Sequence, residues 1–304
     1  MRRREFMLGM GGVGALAALG ANGLVSSAES ILTSAIGGGE QRIPKLGMGS
    51  WITFDVTSAS DIEVRRRVLE TFFALGGRMV DSSPMYGSSE RVIGQCLSSF
   101  DQPTPVFSAG KIWIPGAERG VHQVNYSKGL WGIDRFDLMQ VHNMVDWQTH
   151  LKTLRTWKEQ GEVLYSGITT SHGRRHDDLF EVLRREPFDF VQLTYNIYDR
   201  EAEQRLLPMA LEKGISVIAN RPFKTGALFS LVEGKPLPGM AKDIACQNWA
   251  QFFLKFVVSH PAITCAIPAT SQVAHMQQNM AACYGQLPDA NMRRQMLAAF
   301  QNAL

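Results

Sequence analysis

The 304-residue chain has only four cysteines, and they form neither a CxxC pair nor a Cys/His finger spacing, so neither a disulfide framework nor a structural zinc site is indicated. Cys96, Cys246, Cys265 and Cys283 read as buried small hydrophobes. Charge is also scarce, at 19% of residues and a net +3, and no Lys/Arg run follows the first four residues. Without a basic stripe, a nucleic-acid partner is excluded. Long hydrophobic runs are missing too. The stretch from Leu8 to Val25 is short and carries six glycines, which makes it a poor membrane span. Gly and Pro, at 28 and 13, are too few for a fibrous or low-complexity chain. What is present is 45% hydrophobic residues, in a chain long enough to bury roughly three quarters of its unfolded surface.

The first 28 residues read as an export signal. Arg2, Arg3 and Arg4 precede Glu5, Phe6, Met7 and Leu8, the apolar stretch follows, and Ser26-Ser27-Ala28 supplies small residues for cleavage. The adjacent arginines before Phe-Met-Leu resemble a twin-arginine signal, whose machinery carries folded proteins. The expected location is therefore periplasmic or otherwise exported, with no stable membrane span after cleavage. This segment holds three arginines and one glutamate, so without it the net charge falls from +3 to +1. Residues 29–41, which include Gly37-Gly38-Gly39, are expected to form a flexible lead-in to one folded domain over 42–304.

From Lys45 onward, short apolar runs alternate with longer amphipathic ones. The expected strands are Leu46–Trp51, Arg78–Ser82, Val106–Ile112, Phe136–His142, Leu164–Thr170, Phe190–Asn196, Ser216–Asn220 and Thr264–Pro268. Helices are expected at Ile62–Leu75, Glu90–Leu97, Val121–Leu130, Trp147–Gln160, Asp177–Arg185, Ala202–Lys213 and Ile244–Ser259, with two more, Val273–Tyr284 and Ala290–Asn302, closing the chain. Strict alternation implies a parallel sheet covered on both sides. An open dinucleotide-binding sheet needs a third glycine after its first strand, and Gly47-Met48-Gly49-Ser50-Trp51-Ile52 lacks it. Eight strands select a single-domain α/β fold, the (β/α)8 TIM barrel, whose chemistry sits at the C-terminal ends of the strands.

Those ends carry Asp81, Tyr86, Lys111 and His142, from three successive strands. The motifs Asp81-Ser82-Ser83-x-x-Tyr86-Gly87-Ser88-Ser89-Glu90, Lys111 after its strand, and Asp137-Leu138-Met139-Gln140-Val141-His142 resemble the aldo-keto reductases. The likeness continues through Gly167–Thr170, Val191–Asn196 and Ile267–Ser271, and so covers nearly all of residues 41–304. It implies a catalytic tetrad of Asp81, Tyr86, Lys111 and His142. Tyr86 would act as general acid/base, Lys111 would lower its pKa, Asp81 would hold the lysine, and His142 would orient the substrate carbonyl. A hydride must come from a nicotinamide cofactor, because no side chain donates one.

The resemblance places that cofactor across the barrel rim. Thr169, Thr170 and Gln192 fall at its carboxamide. Asn220 stands where the family commonly has a stacking aromatic ring, and Arg221, Pro222, Phe223 and Thr225 follow toward the pyrophosphate. Thr270, Ser271, His275, Gln278 and Asn279 fall at the adenosine phosphate. NADPH is favoured, with NADH as the alternative because Ala269 and His275 replace the usual basic residues. Trp51 and Trp113 are expected to line the substrate pocket, while Trp147, Trp157 and Trp249 follow helical core patterns. The cluster Ser171-His172-Gly173-Arg174-Arg175-His176-Asp177-Asp178 lacks the spacing of a metal site and reads as a helix start. The function implied is NAD(P)H-dependent reduction of a small-molecule aldehyde or ketone, or the reverse alcohol oxidation, without a metal. The alternative is a redox-sensing protein of the same fold that binds cofactor and turns over negligibly.

Overall fold

A computed structural model describes residues 30–102 and 105–304, so the expected export signal lies outside the described residues. The described chain begins with an antiparallel pair, β1 (Thr33–Ala35) and β2 (Arg42–Pro44). This corrects the expectation of a flexible lead-in. The glycines at 37 and 38 turn the chain at φ +57° and +72°, and Ile36 and Ile43 on either side of the turn are buried. Apolar residues flanking a tight glycine turn make a hairpin rather than a tether.

Eight parallel strands follow: β3 (Met48–Gly49), β4 (Met79–Asp81), β5 (Phe107–Ile112), β6 (Phe136–Val141), β7 (Val163–Thr169), β8 (Phe190–Thr194), β9 (Ser216–Asn220) and β10 (Ile263–Ala266). Each pairs with its sequence neighbour, from β3 to β10. The circle closes through parallel bridges between Leu46 and Ala266 and between Gly49 and Ala269. All eight expected strands are present, several trimmed at their ends. Two expected helices start late. Pro208 lacks an N–H and would clash with the carbonyl four residues back, so α-helix begins only at Leu206, after a separate turn at Glu201–Glu203. Ala245 sits at φ +53°, and the next helix begins at Trp249, where the Asn248 side chain accepts from Gln251 N.

Side chains in a strand alternate between faces, and this alternation builds the barrel interior in layers. The lower layer is apolar: Met79, Phe107, Ala109, Leu138, Phe190, Ile218 and Cys265 form one buried cluster with Ile36 and Ile43 of the hairpin. The hairpin therefore plugs the N-terminal mouth. Two residues further along the same strands come Asp81, Lys111, Gln140, Gln192 and Asn220, all buried and all polar. Gly167 makes room for this upper layer, because a Cβ there would meet Cγ of Gln140 at 2.8 Å. A second, larger core lies outside the sheet, between strands and helices, and holds Trp131, Phe252 and Phe253. All four cysteines are buried, and Trp147, Trp157 and Trp249 pack against this outer core.

Candidate active site

The polar layer forms the floor of a cavity of about 440 Å³ at the C-terminal mouth of the barrel. Asp81 and Lys111 form a fully buried ion pair there, with the Lys111 ammonium donating to Asp81 Oδ1. Ionic groups taken out of water need every remaining hydrogen bond filled. Asp81 Oδ2 accepts from Gln140 Nε2 at 3.0 Å and from Gln192 Nε2 at 2.9 Å, and Lys111 Nζ also donates to Ser82 O at 2.9 Å. Burial pulls the Lys111 pKa down, and the facing Asp81 opposes that shift.

Tyr86 sits in the turn after β4. Gly87 follows it at φ +58°, a conformation that favours glycine, and a Cβ there would collide with the Asp55 carboxylate. That carboxylate accepts from Ser88 N at 2.8 Å and Ser88 Oγ at 2.9 Å, which ties down the loop carrying the tyrosine. The Tyr86 ring stands edge-on to His142 with centroids 5.6 Å apart, and Lys111 Nζ lies 5.2 Å from the ring centroid.

Lys111 is expected to lower the pKa of the phenol, and two other effects oppose it in the resting site. Burial and the nearby Asp81 charge push the phenol well above its usual value. The ammonium is already matched by Asp81, so little of its field is left for the phenol. His142 is held far below its usual value, first by burial and then by the Lys111 charge, so its imidazole is neutral. The site at rest therefore offers two neutral proton-bearing rings above a compensated ion pair.

The remaining predicted residues divide into two groups. Trp51, Thr169, Thr170, Gln192, Asn220, Arg221, Pro222, Phe223 and Thr225 line the cavity together with Asp81, Tyr86 and His142. Thr270, Ser271, His275, Gln278 and Asn279 lie outside that lining. Thr270 Oγ1 accepts from Gln272 N, His275 and Gln278 are exposed, and Asn279 is buried. Trp113 also lies off the cavity and is 42% exposed, so the structure does not bring it to the pocket. It lies one residue beyond the end of β5, where strand alternation no longer sets its direction, and its backbone N–H donates to Gln123 Oε1 at 2.7 Å.

Several of the lining groups are already engaged. The Gln192 amide bridges Asp81 and Gln140, and Asn220 Nδ2 donates to Thr170 O at 2.9 Å while its Oδ1 accepts from Thr194. Others are unsatisfied: Thr170 Oγ1 and Arg221 Nε are buried without hydrogen-bond partners among the described residues. Orphaned buried polar atoms in a cavity wall suit a ligand that carries amide and phosphate groups. The loops at this rim are strained, with Ile52, Asn143, His172, Arg221, Lys224 and Thr225 all at positive φ. Such strain clusters where structure is held for binding rather than for stability.

Sequence reading missed Gln140, Ser83, Met85, His172 and Phe229. Gln140 lies two residues before His142, and strand alternation alone marks it as facing the same way. Phe229 lines the cavity from a short helix, Ala227–Leu231, for which the loop sequence carries no clear signal. His172 lines the cavity and contacts the Arg221 guanidinium, instead of merely preceding a helix.

The aldo/keto reductase family model matches residues 45–296. The chain belongs to the aldo/keto reductase family. Methylglyoxal reductase YeaE of Escherichia coli (strain K12) is 24% identical over 261 residues, covering 84% of this chain and 90% of that protein. An NADH-specific methylglyoxal reductase of the same organism is 23% identical, with 69% and 72% covered. Among solved structures, an aldo/keto reductase from Klebsiella pneumoniae in complex with NADP and acetate superposes with a TM-score of 0.75 at 20% identity, covering 89% of this chain and 96% of that one. The holo form of an aldo-keto reductase from Bacillus halodurans gives 0.73 at 19% identity, with the same coverage.

The pKa of His142 makes a prediction about stability. Its folded value lies below the unfolded 6.5, so below that pH the unfolded chain binds a proton that the folded one refuses, and stability falls as pH falls. Urea midpoints should drop below pH 6.5, this residue contributing up to about 1.4 kcal/mol per pH unit. His142→Gln should flatten that slope, leaving the part due to His260, held at about 4, and to His172 and His176, which burial also holds below their usual value. An equally steep slope in the variant would show that His142 is not the group held neutral.

Proposed function

We propose that the protein reduces an aldehyde or ketone with NADPH, Tyr86 delivering the proton to the carbonyl oxygen. The observation that carries this reading is the convergence of Tyr86 and His142 over the buried Asp81–Lys111 pair, at the floor of a cavity whose wall holds unsatisfied polar atoms. The two methylglyoxal reductases among its relatives are in keeping with a small carbonyl substrate.

The hydride is the chemistry that a bound nicotinamide supplies. Thr169, Thr170, Gln192 and Asn220 would hold its carboxamide end, and Arg221 and Thr225 the pyrophosphate. The expected basic positions near the adenosine phosphate are Ala269 and His275, yet a cation is close by. Arg65, from the helix Ala59–Ala74, donates to Thr53 O at 2.5 Å and to Ser271 O at 3.4 Å. A guanidinium there suits a 2′-phosphate and favours NADPH over NADH.

Carbonyl reduction places growing negative charge on oxygen. A neutral imidazole N–H from His142 can stabilise that charge, and the protonated Tyr86 phenol can quench it. Because Tyr86 keeps its proton at neutral pH, the site is set for reduction. Trp51, Ile52, Met85, Phe223 and Phe229 give the cavity an apolar wall that excludes water and accommodates the carbon skeleton.

The reading extends to residues 1–28 as a twin-arginine export signal that carries the folded barrel of 42–304, preceded by 29–41, to a periplasmic or otherwise exported location. The motif of Arg2 and Arg3 before Phe6-Met7-Leu8 supports it. Nicotinamide cofactor is scarce outside the cytoplasm, so export of a folded barrel would let it travel already bound.

Two experiments test these statements. Tyr86→Phe should keep NADPH binding, followed by nicotinamide fluorescence, while carbonyl reduction falls by at least about a hundredfold. Undiminished turnover would sink the assignment, and tight binding with no turnover of a broad carbonyl panel in the wild type would favour the redox-sensing alternative. For export, replacing Arg2 and Arg3 together by lysine should strand the protein in the cytoplasm, as read by fractionation. Unchanged export would rule out the twin-arginine route.

A further inference from the structure

Ser83 is completely buried beside the tetrad, at a position for which the reduction chemistry has no evident use. Its Oγ lies 2.8 Å from His142 Nδ1. A hydroxyl and an imidazole nitrogen at this distance share one proton, and which of them donates decides where the ring carries its own hydrogen. The neighbourhood resolves the direction. Met85 N–H points at the same Ser83 oxygen from 3.2 Å, so that oxygen is already accepting. Its second lone pair is free, so the direction is decided by the hydroxyl proton: among the described residues Nδ1 is the acceptor within reach, and a proton on Nδ1 would leave the hydroxyl proton buried without a partner.

We propose that Ser83 is a positioning residue that holds His142 in the tautomer with Nδ1 bare and the proton on Nε2. Nε2 makes no hydrogen bond within the described residues, and the ring lines the cavity, so this N–H is the donor available to a carbonyl oxygen. The opposite tautomer would offer that oxygen a lone pair, which repels growing negative charge. The Ser83 hydrogen bond also fixes the ring plane, which stands at 87° to Tyr86. Three short links along one loop thus aim the ring: the turn in which Tyr86 N donates to Ser83 O, the Met85 N–H on Ser83 Oγ, and the Ser83 hydroxyl on Nδ1.

The inference rests on the reductase reading for its purpose, while its observable does not depend on turnover. Full-length protein labelled with 15N-histidine, observed through multiple-bond proton–nitrogen correlations at neutral pH, reports which ring nitrogen is protonated. His142→Gln identifies the signal among the seven histidines. The wild type should show one tautomer, protonated on Nε2. In Ser83→Ala the signal should move toward a mixture of both tautomers, and kcat for carbonyl reduction should fall roughly tenfold with KM little changed. A wild-type ring protonated on Nδ1 overturns the proposal without any variant being needed. An unaltered tautomer in folded Ser83→Ala overturns it as well, even if activity falls. Failure of the reductase reading would show separately, as an Nε2-protonated ring in a protein that reduces no carbonyl compound.

Discussion

The ion pair of Asp81 and Lys111 is the constraint on which the rest of this site depends. Removing two charges from water costs several kcal/mol per ion, a cost the protein recovers only with good geometry and further hydrogen bonds. Four strands provide these. β4 carries the carboxylate and β5 the ammonium, and their register sets Asp81 opposite Ala109, two residues before Lys111 on the same face. Gln140 from β6 and Gln192 from β8 reach the other carboxylate oxygen from across the barrel. The pair is therefore a fixed floor, and removing either partner would leave an uncompensated buried charge.

The chemistry above the floor follows from its neutrality. A lone lysine under a tyrosine would draw out the phenolic proton, while a lysine saturated by a carboxylate leaves the phenol governed by burial. Tyr86 and His142 thus meet the cavity as neutral hydrogen-bond donors, one able to give up its proton and the other to stabilise charge through Nε2. The apolar layer below serves the same end. Met79, Phe107, Leu138 and Phe190, sealed from beneath by the hairpin isoleucines, keep water from reaching the ion pair through the N-terminal mouth.

Much of this was legible in the sequence because barrel periodicity is regular. Short apolar runs marked every strand, and the ends of three runs marked the tetrad. Where the reading stopped, the reasons are physical. Ile36 and Ile43 flank three glycines that look like a tether in composition, yet they bury against side chains more than thirty residues away. Trp113 was drawn into the pocket by its nearness to Lys111, although β5 ends at Ile112 and strand alternation no longer directs the residue beyond it. The direction of the Tyr86 shift depends on how deeply the folded loop buries the phenol and on the Asp81 charge near it, and no spacing rule encodes either. Ser83 lay inside a recognised motif, but only its folded neighbourhood, with Nδ1 of His142 as the acceptor in reach, reveals what its hydroxyl does.

The central claim is that a compensated ion pair leaves Tyr86 protonated. Tyrosine labelled with 13C at Cζ allows each of the six phenols to be titrated by NMR in the folded protein, with Tyr86→Phe assigning the relevant signal. The Tyr86 resonance should stay in its protonated position past pH 10, the ordinary midpoint of tyrosine. A Tyr86 midpoint at or below neutral pH would contradict the account, because it would show that the Lys111 charge reaches the phenol despite Asp81.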